Sequence, residues 1–172
     1  IQKQAGSDQY AVLANRVRNA VDQHRARRAL AASEERLSRY IEQSPLGTIE
    51  YDETFQIKRV NPAGEEILGY DASELVGGTW LPFVPRELQR HVAALERDLL
   101  SDKGGYSSVN ENVRSDGEHI RCVWHNQVVT DDAGEVIRVF SQFEDISEQT
   151  ERKREIERTN AVLSTVLDTL PV

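Results

Sequence analysis

Hydrophobic positions fall into two different rhythms along the chain. From Ser7 to Gln43 there is no Pro or Gly, and Ala, Arg, Leu and Glu dominate. Tyr10, Leu13, Val17, Ala20 and His24 follow a 3-4 spacing, and Leu30, Leu37 and Ile41 resume the stripe after a slip near Arg27-Arg28. With Ser7 as N-cap, this predicts one helix of about 36 residues, roughly 54 Å long. Its narrow stripe is a coiled-coil seam or a face docked on a domain, the slip reads as a stutter, and His24 is a seam residue rather than a metal ligand. At the other end Ser147 caps a second helix, in which Ile156, Leu163 and Leu170 recur every seven residues with Thr159 and Val166 between them. That is again a heptad seam. Helices built to pair at both ends predict a homodimer; single helices packed on their own domain are the alternative.

Between the helices the period drops to two. Gly47 to Tyr51 and Gln56 to Val60 flank Asp52-Glu53-Thr54-Phe55, which reads as a hairpin. Pro62 to Leu68 and Ala72 to Val76 are short helical pieces ended by Gly69 and Gly77, and Pro85 to Ser101 is a longer amphipathic helix with Leu88, Val92, Leu95 and Leu99 on one side. Three longer strands follow, Tyr106 to Arg114, Glu118 to Thr130 and Glu135 to Ile146, joined by turns at Ser115-Asp116-Gly117 and Asp131 to Gly134. The fold class is therefore α+β, with a five-stranded antiparallel sheet, helices on one face, and long N- and C-terminal coiled-coil helices. Alternation places Ile120, Cys122, Trp124, Asn126 and Val128 on the core face, with His119, Arg121, Val123, His125 and Gln127 opposite. In the last strand Ile137, Val139, Ser141 and Phe143 form the mostly apolar set, opposite Val136, Arg138, Phe140 and Gln142.

Composition narrows the function. The 172 residues carry a net charge of −8 with one Cys, which fits one globular domain plus extra helix. The charge is uneven: residues 40–149 hold 21 acidic against 9 basic side chains, whereas residues 1–39 hold 4 against 8. So acidic a body repels a phosphate backbone, and Arg16, Arg18, Arg25, Arg27 and Arg28 have no interleaved aromatic platform, so nucleic acid is not an expected partner. No run of 18 apolar residues exists, so no membrane insertion is expected, and a single Cys without a charged-then-apolar leader points to the cytoplasm. Leu37 to Leu46 aligns without gaps on Leu163 to Val172, 126 residues later, with Leu, Ser and Pro identical. This repeat predicts a segment of a longer protein that continues into a second copy of the same domain.

Several landmarks occur in a characteristic order: Tyr51-Asp52, Val60-Asn61-Pro62-Ala63, Ile67-Leu68-Gly69-Tyr70, Leu75-Val76-Gly77, Val113 to Gly117 with Trp124, Asp131 to Gly134, and Asp145-Ile146-Ser147-Glu148. Together they resemble the PAS (PAS/PAC) sensor family over residues 34 to 149. More weakly, Lys3 and Gly6 to Arg16 make residues 1–24 resemble the C-terminal end of a response-regulator receiver domain, without its phospho-accepting Asp. The resemblance implies residues 1–33 as the end of a receiver-like domain and linker helix, 34–148 as the PAS domain, and 149–172 as a signalling helix leading to a second PAS-like domain. It implies a sensory module of a histidine-kinase-type, two-component signal transducer, non-catalytic in itself, with receiver, PAS and kinase-type domains in the same chain. A ligand-free dimerisation or spacer domain is the alternative.

PAS domains often hold a small ligand between sheet and helices, so the resemblance makes the inward residues Asn110, Asn112, Cys122, Trp124, Asn126, Ser141 and Phe143 the candidate pocket. Asn61, Asp145 and Ser147 are structural or signal-relay candidates, Asn61 capping the helix at Pro62 and the other two joining sheet to exit helix. The sequence names no cofactor and requires none; haem and flavin are not expected, although a non-covalent oxidised flavin stacked on Trp80 or Trp124 stays open. Flavin photochemistry needs a Cys on the helical crossover, while Cys122 is on a strand; His91 lacks the pattern around a haem ligand. Four scattered His and one Cys make no metal cluster, and no phosphate-cradling loop or nucleophile elbow is present.

Overall fold

The computed structural model describes the backbone of residues 4–169 and the side chains of residues 15–163. Lys3 and Leu170 therefore lie outside the described residues, as do the side chains of Tyr10, Leu13 and Val166. The chain divides into two units, residues 1–42 and 43–172. The first is one helix, α1 (Gln4–Glu42), on which Val17, Val21, Leu30 and Leu37 are exposed.

The second unit is built on a five-stranded antiparallel sheet in the order β2-β1-β5-β4-β3. β1 (Gly47–Asp52) and β2 (Ile57–Val60) form the first hairpin, closed by the Asp52 carboxylate, which accepts the N–H groups of Thr54 at 2.9 Å and Gln56 at 3.0 Å. Then come α2 (Pro62–Leu68), α3 (Ala72–Leu75), two 3-10 turns (Leu81–Phe83 and Arg86–Leu88) and α4 (Gln89–Leu100). β3 (Ser107–Val113), β4 (His119–Thr130) and β5 (Val136–Asp145) complete the sheet, and α5 (Ser147–Thr169) leaves it. Antiparallel β1–β5 pairing puts the first and last strands side by side at the centre. The core cluster, with Ile49, Ile57, Leu68, Leu75, Phe83 and Phe143 at its heart, joins the inner face of the sheet to the helical crossover.

Local chemistry explains these elements. Asn61 caps α2 by accepting from Gly64 N–H at 2.9 Å, Pro62 supplies the preset first turn, and Gly69 ends the helix at φ 75°. No other residue fits Gly69 well: a Cβ there would lie 2.9 Å from Ser115 Oγ, in a left-handed conformation. At Gly47 a Cβ would sit inside the Phe143 ring, so the glycine lets that ring lie on the backbone of β1.

Three expectations need correction. α1 begins at Gln4, so Ser7 lies inside it and is not its N-cap. The helix predicted from Pro85 begins later, because Pro85 is extended (ψ 142°) and Arg86–Leu88 form a 3-10 turn before α4. In β5, Ile137 is exposed while Val136 packs against the core. The register runs Val129↔Arg138 and then Thr130↔Val136, so Ile137 is the extra residue of a β-bulge and alternation reverses there. Among the described residues no helix is long and apolar enough to cross a membrane, and none form a metal-ligating cluster.

Candidate functional site

A cavity of about 50 Å³ lies between the inner face of the sheet and α4. α4 turns Val92, Leu95, Glu96 and Leu99 toward it, spaced three, four and seven residues from the first, as one helical face requires. The hairpin contributes Tyr51 and Phe55, stacked with centroids 4.3 Å apart, and the crossover contributes Trp80, Phe83 and Val84. Phe55 holds a left-handed φ of 59°, unusual for a bulky side chain, and its ring burial and stacking offset the strain. The sheet supplies Ser108, Asn110, Asn112, Trp124, Asn126 and Ser141.

The polar wall is tied into the fold by named bonds. Asn112 is almost fully buried; its Nδ2 donates to the Phe83 carbonyl at 3.0 Å and its Oδ1 accepts from Trp124 Nε1 at 3.0 Å. Asn126 Nδ2 donates to the Gly105 carbonyl at 2.6 Å and fastens the α4–β3 loop over the cavity's edge. Asn110 Nδ2 donates to Ser108 Oγ at 3.1 Å, and Trp80 Nε1 donates to Glu96 Oε2 at 2.8 Å. Burial, and secondarily the neighbouring Glu96 carboxylate, push the Tyr51 phenol well above its usual pKa, so it stays protonated.

A sequence model described as the PAS fold matches residues 41–151. The chain belongs to the PAS family. No curated protein matches it. Among solved structures it resembles an RNA-binding light-oxygen-voltage receptor at 22% identity and TM-score 0.65, covering 76% of this chain and 38% of that one. The chain thus spans well under half of that receptor's length. It also resembles the PAS domain of a protein from Colwellia psychrerythraea, at 11% identity and TM-score 0.61 over 66% of this chain and 97% of that one. A sensory box histidine kinase/response regulator from Burkholderia thailandensis aligns at 15% identity and TM-score 0.57, over 76% and 98%. At such identities the likeness establishes the fold.

Five candidate residues of this PAS domain meet at the cavity: Asn110, Asn112, Trp124, Asn126 and Ser141. Cys122 and Phe143 are on the predicted face but behind the wall. Phe143 stacks on Trp124 at 4.2 Å, and fully buried Cys122 pairs with Asp145 toward the exit helix. Burial above all, with the nearby Asp145 carboxylate and against the pull of Arg114, pushes the Cys122 thiol up to about 12, so it is no nucleophile at neutral pH. His91 is exposed on α4, outside the cavity wall.

The relay candidates sit elsewhere. Asn61 joins the start of β1 to α2: its Oδ1 accepts from Thr48 N–H at 2.7 Å as well as from Gly64, and its Nδ2 donates to Leu46 O at 3.0 Å. The Asp145 carboxylate accepts the Ser147 N–H at 2.8 Å, while the Ser147 hydroxyl accepts from Arg121 N–H of β4 at 2.8 Å rather than capping its own helix. The sequence candidates came from the last three strands alone, so they omit Tyr51, Phe55, Trp80, Phe83, Val84 and the α4 residues. Glu96 carried a usable signal, because it stands four residues after Val92 on the apolar stripe of α4.

Proposed function

We propose that this PAS domain senses a small molecule in the inner cavity and relays its presence through α5 to an output domain of histidine-kinase type, in a cytoplasmic signal transducer. One observation carries the reading: the strand that walls the cavity is the strand that holds the exit helix. β4 supplies Trp124 and Asn126 to the wall, and its Arg121 is bonded on both sides of its peptide to the start of α5. Arg121 N–H donates to Ser147 Oγ at 2.8 Å, and Ile146 N–H donates to Arg121 O at 2.7 Å. A shift of β4 on ligand entry is therefore felt at the first turn of α5, and a heptad-patterned helix transmits it as rotation or register change within a homodimer. The likeness to the N-terminal domain of a diguanylate cyclase with a PAS/PAC sensor from Marinobacter aquaeolei supports placing such a module before an output domain, and the likeness to a sensory box histidine kinase/response regulator supports a kinase-type output. An upstream receiver and further PAS domains complete the proposed chain.

A second reading, a ligand-free dimerisation or spacer domain, draws on the cavity's size, since about 50 Å³ admits only a few heavy atoms. Native mass spectrometry and absorbance spectra of the purified chain separate the two. Sensing predicts a stoichiometric small molecule bound to the folded protein; its repeated absence from preparations that still dimerise leaves the spacer. In the intact transducer Asp145→Ala is expected to alter output with little loss of stability, and unchanged output would remove Asp145 from the relay.

A further inference from the structure

We infer that the cavity is selective for a small organic ammonium ion, a primary or methylated amine of a few heavy atoms; this deepens the sensing role proposed above and rests on it. The first argument is hydrogen-bond polarity. The indole and amide nitrogens of the wall already donate within the protein: Trp80 Nε1 to Glu96, Trp124 Nε1 to Asn112, and the Asn110, Asn112 and Asn126 amides to Ser108 Oγ, Phe83 O and Gly105 O. Of the acceptors, Glu96 Oε1 and the Asn110 and Asn126 carbonyl oxygens bond no described residue. A donating occupant finds these acceptors free; the second hydrogen of each amide and the hydroxyls of Tyr51, Ser108 and Ser141 remain as donors, so polarity admits a cation and the charge of the wall selects it.

The second argument is charge. Glu96 is the one ionisable carboxylate of the wall, it is half-buried, and no Lys, Arg or His lines the cavity with it. A cation there gains a charge-assisted hydrogen bond to the carboxylate oxygen that Trp80 Nε1 leaves free. The third is the π surface. Five aromatic rings, those of Tyr51, Phe55, Trp80, Phe83 and Trp124, share a wall of about 50 Å³ with that carboxylate, which is the chemistry that holds alkylammonium groups elsewhere. The same volume restricts the occupant to an ion such as ethylammonium rather than a nucleotide or an aromatic cofactor.

Both tryptophans of the chain, Trp80 and Trp124, line the cavity, so their indole N–H resonances and their fluorescence report its occupancy directly. The experiment titrates the whole chain with ethylammonium chloride and with ethanol, which has the same number of heavy atoms and no charge, at ionic strength matched with sodium chloride. The expected result is binding of ethylammonium at least tenfold tighter than of ethanol, with both indole signals shifted. Glu96→Gln keeps an acceptor for Trp80 Nε1 and loses the charge; it is expected to abolish the preference for ethylammonium over ethanol. The comparison on the unsubstituted chain stands even if that variant folds poorly. Equal affinity for the two compounds, or a preference that survives Glu96→Gln, overturns the ammonium selectivity and leaves a small-molecule cavity in place. Silence of both indoles toward these compounds and toward a panel of neutral small molecules overturns the sensing role as well.

Discussion

Asn112 is where a single side chain holds the cavity open and in shape. It bridges the crossover to β4, and both of its partners, the Phe83 carbonyl and the Trp124 indole, are buried. Removing it strands a donor and an acceptor at about 1–3 kcal/mol each before relaxation. Asn112→Ala is therefore expected to lower stability by about 2–4 kcal/mol, read as a fall in the urea midpoint with the slope unchanged. Asp52 makes a different prediction. Burial alone would raise its pKa, but the Lys58 ammonium at 2.7 Å and the donors of Gln56 and Thr54 win and hold the carboxyl far below its ordinary 3.8. A folded-state pKa that is depressed stabilises the protein above the unfolded value and loses that stability as pH falls toward the folded one. The stability curve should therefore drop below about pH 4, and Asp52→Asn should be less stable at pH 7 yet lack that part of the acid slope. At this scale the asparagines and Ser141 of the wall were legible, because period-two alternation assigns a face whatever the side chain's polarity. Glu96 was legible only as a position on the apolar stripe of α4, four residues after Val92; its role at the wall was not, since a charged residue within a helix reads as solvated until the neighbouring wall is known.

The secondary elements were legible wherever punctuation chemistry marks them: Asn61-Pro62 opening α2, Gly69 closing it, Asp131 to Gly134 turning β4 into β5. The bulge in β5 was not, because it needs no Gly or Pro and is defined only by the partner strand. Its consequence is measurable. Alternation extended back from Val139 makes Ile137 the core residue, whereas the register makes it Val136, which packs on the core while Ile137 is 42% exposed. Val136→Ala is expected to cost about 1–2 kcal/mol and Ile137→Ala under about 0.5 kcal/mol. Equal costs, or the reverse order in thermal unfolding, would place the bulge elsewhere. Such a bulge also adds twist to the β4–β5 pair, at the end of the strands away from the Arg121 anchor of α5.

For the molecule as a whole, the question is what the flanking helices cover. The PAS core accounts for the buried apolar residues, yet Leu30 and Leu37 of α1 and Ile156, Val162 and Leu163 of α5 are each more than half exposed in a single chain. Scattered apolar residues on a surface need no explanation, but a seven-residue repeat does, because it sets one helical face toward a partner. Association through α5 is therefore the expected use of Ile156 and Leu163, and the doubly substituted Ile156→Glu, Leu163→Glu chain should shift from dimer toward monomer in sedimentation equilibrium. Both positions lie outside the core, so the indole fluorescence of Trp80 and Trp124 and the thermal midpoint of the PAS domain should change little. A dimer that survives both charges would instead be held by the outer sheet face, where Val109 and Ile137 are exposed, or by α1. The distinction bears on signalling. Under the proposed relay, a dimer joined at α5 would receive a displacement of β4 along the helix that Arg121, Asp145 and Ser147 hold, whereas one joined at the sheet would feel it across the strands, with α5 free to follow.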